Sequence, residues 1–194
     1  MISRLSSSVL LCLFGLVAAP SLSAQSAGSP RALGVVLGAG FGFGTSGVHQ
    51  DGRADSKPGE FLNGRLGVAR NGRPLVIVDL ELQPYGGPIA LTTGTTTKTE
   101  FKATTVLAGL VLSPGGEFYV TPRVGTQRRS WSGPLAASFS ESGLAFGADL
   151  GYHLTFGNGL LIAPEAFYRY ATIDGPDSPS ARGLGFRIVA QWVP

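Results

Sequence analysis

Apolar residues recur at every second position along eight stretches of this chain. A period of two is typical of β-strands whose two faces meet different surroundings. The sixth stretch shows it most clearly, with Leu144, Phe146, Ala148, Leu150, Tyr152, Leu154 and Phe156 on one face and Ala145, Gly147, Asp149, Gly151, His153 and Thr155 on the other. The predicted strands are residues 32–44, 60–70, 74–85, 100–112, 117–127, 144–156, 160–172 and 183–192; in the fourth, the pattern leaves the outer face undecided.

The connections between the predicted strands alternate in length. Short turns, among them Asn71-Gly72, follow strands two, four and six, and longer segments follow the others, at residues 45–59, 86–98, 128–138 and 174–180. This asymmetry, on an even number of antiparallel strands, is typical of barrels in the bacterial outer membrane. The longest apolar stretch, residues 9–19, falls short of the ~20 residues that a membrane-spanning helix needs.

Charged side chains share the glycine-rich face of the predicted strands. Four arginines and four acids lie there, namely Arg65, Asp79, Glu81, Arg123, Asp149, Glu165, Arg169 and Arg187. An eight-stranded barrel has an interior only wide enough for side chains, so we expect these charges to pair inside it while the apolar face turns outward. The sequence thus predicts an all-β, eight-stranded antiparallel up-and-down transmembrane β-barrel with a filled polar interior.

The first 24 residues have the composition of a cleaved signal peptide. Arg4 precedes an apolar core, and Ala24 ends a small-residue cleavage site, which leaves residues 25–194 as the barrel domain. The single cysteine, Cys12, lies within the apolar core, so the mature chain is expected to hold no thiol for disulfides, catalysis or metal binding. Removal of Arg4 with this segment lowers the formal net charge from +3 to +2, and so small a charge implies no nucleic-acid partner.

Aromatic residues near the strand ends predict two interfacial girdles. They are Phe43, Phe61, Phe101, Phe139, Tyr168 and Tyr170 at the long-connection end and Phe118, Phe156 and Trp192 at the other. In strand count, loop asymmetry and face pattern, residues 31–194 resemble the small OmpA-like and OmpX-like outer-membrane barrel family.

The resemblance implies an outer-membrane protein that is monomeric and non-enzymatic, needs no cofactor, and acts structurally or in surface interactions through four extracellular loops. Its partners would be outer-membrane lipid and lipopolysaccharide, and the assembly machinery that inserts it. Arg128, Arg129, Trp131 and Trp192 are candidates for contact with the lipid interface, since arginine suits phosphate geometry.

Three alternatives to this interpretation differ in class. A soluble, exported lipocalin-like barrel would turn the apolar face inward around a ligand and the charges outward. A lipid A-modifying barrel enzyme is suggested by His153, Thr155 and Glu165, which loosely resemble the His-x-Ser and Glu arrangement of the lipid A deacylase family. A narrow pore is disfavoured by the crowded interior. His49, with Asp51 and Asp55, is interpreted as part of a solvated loop rather than as a metal site.

Overall fold

The computed structural model describes residues 33–50, 53–90, 96–133, 136–172 and 180–193, and the predicted signal peptide lies outside them. Ten strand segments make up nearly all of this part of the chain. They are β1 (Leu33–Gln50), β2 (Arg53–Arg70), β3 (Arg73–Ala90), β4 (Thr96–Leu110), β5 (Leu112–Gly115), β6 (Phe118–Gly133), β7 (Ala136–Tyr152), β8 (Leu154–Phe156), β9 (Leu160–Thr172) and β10 (Ser180–Trp192).

The segments form one closed antiparallel barrel of eight strands. Each strand pairs with the next along the chain, and β10 returns to pair with β1, from Leu37 opposite Trp192 to His49 opposite Ser180. β5 continues the line of β4, and β8 continues that of β7. The breaks are bridged by backbone hydrogen bonds from Val111 N to Leu75 O and from His153 N to Glu117 O. The predicted fold class is confirmed.

The strands are longer than the sequence pattern indicates. Most of segment 45–59 is strand, because β1 and β2 stay in register up to the pair Gln50 and Arg53. β3 and β4 likewise pair as far as Ala90 and Thr96. The predicted long loops are therefore wrong over these residues. Beyond the apolar layer both faces meet polar surroundings, so the alternation fades while the backbone pairing continues. β6 and β7 likewise extend into the predicted connection 128–138, up to the pair Gly133 and Ala136, so this prediction is wrong as well. Of the predicted connection 174–180, residues 174–179 lie outside the described residues.

The fourth predicted strand now has an assigned outer face. Val106 and Leu110 are 43% and 53% exposed on the outside, while Ala103, Thr105 and Leu107 face the interior and are buried. The inner face of this strand holds an apolar leucine and alanine, and the outer face holds Thr104. The contrast between the two faces is therefore too weak to read from the sequence.

The exterior wall is apolar and the interior is polar. Phe186 is 74% exposed and Leu33 71%, whereas the buried residues include arginines, acids and amides.

At the girdles, Phe43 and Phe118 lie outside as predicted, but the prediction for Phe61 is wrong. Its ring is buried in the barrel, 4.9 Å from the ring of Phe167. Among the described residues there is no helix with the length and hydropathy to cross a membrane.

Candidate functional site: a charged interior and a basic rim

The four arginines and four acids singled out from the sequence lie together inside the barrel. Six strands supply them, and each residue is at most 6% exposed. Alternation along each strand explains this placement, since the neighbours of each charged residue point out to the apolar wall. We call this cluster the ion-pair core; its members are Arg65, Asp79, Glu81, Arg123, Asp149, Glu165, Arg169 and Arg187.

Arg187 on β10 is the centre of the ion-pair core because it reaches all four acids. Its Nε donates to Glu165 Oε2 over 2.6 Å and its Nη1 to Glu81 Oε1 over 2.6 Å. Its Nη2 donates to Asp149 Oδ2 over 2.8 Å and lies 3.3 Å from Asp79 Oδ2. One guanidinium thereby ties together acids from β3, β7 and β9.

Arg65 on β2 makes two bidentate contacts. Its Nε and Nη2 donate to the carboxylate of Asp79 over 2.9 and 3.0 Å. Its Nη1 and Nη2 donate to that of Glu165 over 2.8 and 3.1 Å. The Nη1 group also donates to Gln191 Oε1 over 3.2 Å. The fork of the guanidinium matches carboxylate geometry, which fixes orientation as well as charge.

The other two arginines complete the core. Arg123 donates from Nε to Asp149 Oδ2 over 2.5 Å, and its Nη2 lies 2.8 Å from Asp79 Oδ2 as an ion pair without hydrogen-bond alignment. Arg169 donates from Nε to Glu81 Oε2 over 2.9 Å and from Nη1 to Asp149 Oδ1 over 2.6 Å. Every acid of the core therefore meets at least two arginines.

The short-turn end of the barrel is the end that carries the turns at residues 71–72, 116–117 and 157–159. Here Tyr119 donates its hydroxyl to Glu165 Oε1 over 2.5 Å, and the ring of His153 stacks on the tyrosine ring at 4.1 Å. Sequence reasoning missed Tyr119, although alternation from Arg123 places it on the inner face.

The same contacts bear on the enzyme hypothesis. His153 is buried inside, whereas Thr155 is exposed on β8. The Glu165 carboxylate is already engaged by Arg65, Arg187 and Tyr119. The structure therefore does not bring the Thr155 hydroxyl together with the His153 imidazole and the Glu165 carboxylate, as this acyl-transfer hypothesis requires. In the described part of the chain, no group of three or more His, Cys, Asp or Glu side chains is placed to hold a metal ion.

The candidates for the lipid interface separate into different places. Arg128 is exposed at the opposite end of the barrel, where β1 and β2 pair up to Gln50 and Arg53; we call this the hairpin end. Its Nη2 donates to Ser140 Oγ over 3.3 Å. The prediction that Arg129 shares this surface is wrong, because consecutive strand residues point to opposite faces and Arg129 is buried inside at 2% exposure. Trp192 lies at the short-turn end and donates from Nε1 to Asn158 O over 3.2 Å. The side chain of Trp131 lies outside the described set.

A basic rim lies next to Arg128 on the outer wall. Lys102 on β4 is opposite Ser130, and Arg128 on β6 is opposite Thr104, so the two cations are diagonal neighbours on one face, typically ~7–8 Å apart. The outward positions around them carry hydroxyls, at Thr104, Thr126, Ser130, Ser140 and Ser142. Directly below, Val106, Val124 and Leu144 belong to the apolar wall.

No protein family and no curated protein matches the sequence. Among solved structures, the chain is similar to Ail, the attachment invasion locus protein of Yersinia pestis, crystallised with the heparin analogue sucrose octasulfate. The identity is 19%, the match covers 82% of this chain and 99% of Ail, and the TM-score is 0.58. It is also similar to Neisserial surface protein A, at 13% identity, with coverage of 83% and 98% and a TM-score of 0.52. The chain therefore has the fold of the eight-stranded outer-membrane β-barrels.

Proposed function

We propose that this chain is a non-enzymatic integral protein of a bacterial outer membrane, exported with a cleaved signal peptide at residues 1–24. The observation that carries the proposal is the inverted distribution of polarity. Large apolar side chains such as Phe186 and Leu33 are more than two-thirds exposed, while the eight charged residues of the ion-pair core and Arg129 are buried. Water would penalise both features, whereas hydrocarbon around a closed barrel with all strand edges paired favours them.

The height of the apolar wall supports the same proposal. Outward apolar residues run from Leu33 to Phe43 on β1 and from Leu184 to Trp192 on β10. At ~3.3 Å per residue and a strand tilt of ~40°, these spans are roughly 20–25 Å high, close to the apolar band of outer-membrane barrels. The lipocalin-like alternative needs charges outside and an apolar interior, which is opposite to the observed distribution.

The hairpin end would face the cell exterior, since outer-membrane barrels keep their short turns in the periplasm. Here β1 and β2 continue past the apolar wall to Gln50 and Arg53, so the paired strands extend above the membrane. We assign the chain a structural or surface-interaction role carried by these projecting hairpins. It would act as a monomer, inserted by the outer-membrane assembly machinery.

The test is fractionation of cells that express the full chain, followed by gel migration of the extracted protein with and without boiling. We expect recovery in the outer membrane and a heat-dependent mobility shift, because a closed barrel stays compact in detergent until heated. A protein found soluble in the periplasm, with no shift, would overturn the proposal.

The basic rim is proposed to contact the phosphates of lipopolysaccharide. It combines two cations with five hydroxyls, and it sits directly on the apolar wall where an anionic headgroup would meet acyl chains. The double variant Lys102→Gln/Arg128→Gln should retain several-fold less lipopolysaccharide after mild detergent extraction. Arg70→Gln/Arg73→Gln is the matched control, since it removes two exposed cations from the opposite end. Equal retention in both variants would contradict this contact.

A further inference from the structure

A small cavity lies inside the barrel at the hairpin end, beside Glu81 and Arg169 of the ion-pair core. All eight strands of the barrel contribute to its wall, and its volume is about 20 Å³. Since a cavity of roughly 10–15 Å³ can hold a single water molecule, this cavity has room for one small guest.

The polar side chains of the wall are ordered so that they offer hydrogen-bond donors. Arg129 donates from Nε to Gln127 Oε1 over 2.9 Å, and Gln127 Nε2 donates to Thr105 Oγ1 over 3.0 Å. The Thr105 oxygen thus acts as an acceptor, and its hydroxyl keeps its own hydrogen for donation. Each residue of the series Arg129, Gln127 and Thr105 therefore donates to the next, and the Thr105 hydroxyl is left to donate to an acceptor in the cavity.

Gln83 supplies an independent observation. Its side chain lines the cavity and is only 6% exposed, and its Nε2 has no hydrogen-bond partner among the described residues. A buried amide donor without an acceptor costs about 1–3 kcal/mol, so the site favours a guest that accepts from it.

The charge of the wall favours an anion over a neutral guest. The charged side chains of its wall that face inward are Arg129, Arg169 and one acid, Glu81. That acid already accepts hydrogen bonds from Arg169 and Arg187. A cation would meet mainly donors and positive charge, whereas a small anion meets complementary groups.

We propose that this cavity is a binding site for a single small monovalent anion of the halide class, held by Gln83 and Thr105 on the axis of the barrel. The proposal concerns the interior alone and does not depend on the location assigned to the barrel. The anion would accept hydrogen bonds from Gln83 and Thr105, in the layer of side chains next to the ion-pair core.

The experiment is crystallography of the detergent-solubilised barrel soaked in sodium bromide, with data collected at the bromine absorption edge. We expect an anomalous peak in the cavity within hydrogen-bonding distance of Gln83 Nε2. Gln83→Glu replaces the amide donor with a like-charged carboxylate and should remove the peak. Gln191→Glu makes the same change elsewhere in the lumen, beside Arg65, and should retain it.

A solution measurement covers the case in which Gln83→Glu fails to fold. The unfolding temperature of the unmodified barrel should be higher in sodium chloride than in sodium gluconate at equal ionic strength, because a ligand bound only by the folded state stabilises it. Equal unfolding temperatures in the two salts, or bromide peaks confined to the outer surface, would overturn the proposal.

Discussion

At the residue scale, the interior is stabilised by mutual compensation of charge. Each acid of the ion-pair core contacts at least two arginines, and Arg187 contacts all four acids. Burying such charges carries a large desolvation penalty, which pairing and hydrogen bonding offset only when the set is complete. Removing a single member therefore costs more than one lost contact, because its former partners stay buried.

Replacing the central arginine is the sharpest test of this compensation. Arg187→Met should lower the free energy of unfolding by about 3–5 kcal/mol, since it leaves four buried acids short of a partner. Denaturant unfolding in lipid vesicles, followed by tryptophan fluorescence, measures the change. Arg73→Met is the control, because its ion pair with Glu117 spans 3.6 Å between half-exposed side chains. An exposed pair of this kind contributes up to ~1 kcal/mol. Similar losses for the two variants would contradict the role of Arg187.

Close strand packing sets a second requirement at the residue scale. A Cβ added at Gly125 on β6 would lie 1.9 Å from the backbone oxygen of Val106 on β4, whereas one added at Gly64 meets nothing within 4 Å. Gly125→Ala should destabilise the barrel by roughly 1–3 kcal/mol, as overpacking does. Gly64→Ala should change stability by less than ~0.5 kcal/mol. The same unfolding assay tests the pair, and equal stabilities would refute the packing argument.

At the element scale, the short turns hold neighbouring strands in register. Asn71 and Gly72 both have positive φ, at 55° and 71°, as do Asn158 and Gly159 at 66° and 79°. Two consecutive left-handed residues are typical of the tight hairpin turn that matches the twist of the strands. The Asn-Gly sequence is therefore sufficient to place the turn between β2 and β3.

Substitution at Gly72 should show this conformational requirement. A side chain in the left-handed region costs about 1–2 kcal/mol, so Gly72→Ala should destabilise the barrel by about that amount. Gly157→Ala is the control, since Gly157 lies outside the positive-φ glycines and an added Cβ meets nothing within 4 Å. Refolding into vesicles, followed by the heat-dependent gel shift, reports both. Equal stability of the two variants would show that the turn tolerates a side chain.

At the scale of the whole molecule, closure depends on the pairing between β1 and β10. Their register places Ala39 opposite Ala190, and β10 in turn places Ala190 opposite Ile162 of β9. This seam joins the first and last described strands. It removes the two edges that an open sheet would expose to hydrocarbon.

A disulfide across the seam tests closure. In a Cys12→Ser background, Ala39→Cys/Ala190→Cys should form an intramolecular disulfide, seen as faster migration on a non-reducing denaturing gel. Directly opposed strand residues lie within the Cα separation that a disulfide spans. Ala39→Cys/Ile162→Cys should not cross-link, because strands two apart in a sheet lie ~9–10 Å from each other. Cross-linking in the second pair alone would place β1 against β9 and contradict the closed order.

The sequence predicted the fold class and the face of most side chains for a local reason. In a strand, the direction of each side chain follows from its position alone, so Arg65, Asp79 and Arg187 were assigned to the interior without any knowledge of their partners. The same rule, carried on from Arg123, identifies Tyr119 and Arg129 as inward residues. Strand ends were poorly predicted, because pairing beyond the apolar layer leaves no hydrophobic period in the sequence.

Only the tertiary structure decided which charged groups meet. Arg187 and Glu81 are 106 residues apart in the chain, and Arg65 and Glu165 are 100 apart. Their contacts depend on the closed barrel and on the register between its strands, neither of which a local pattern contains. The cavity beside Gln83 arises in the same way, from side chains of all eight strands. The sequence by itself thus determined which way most side chains point, while closure and register determined what they meet there.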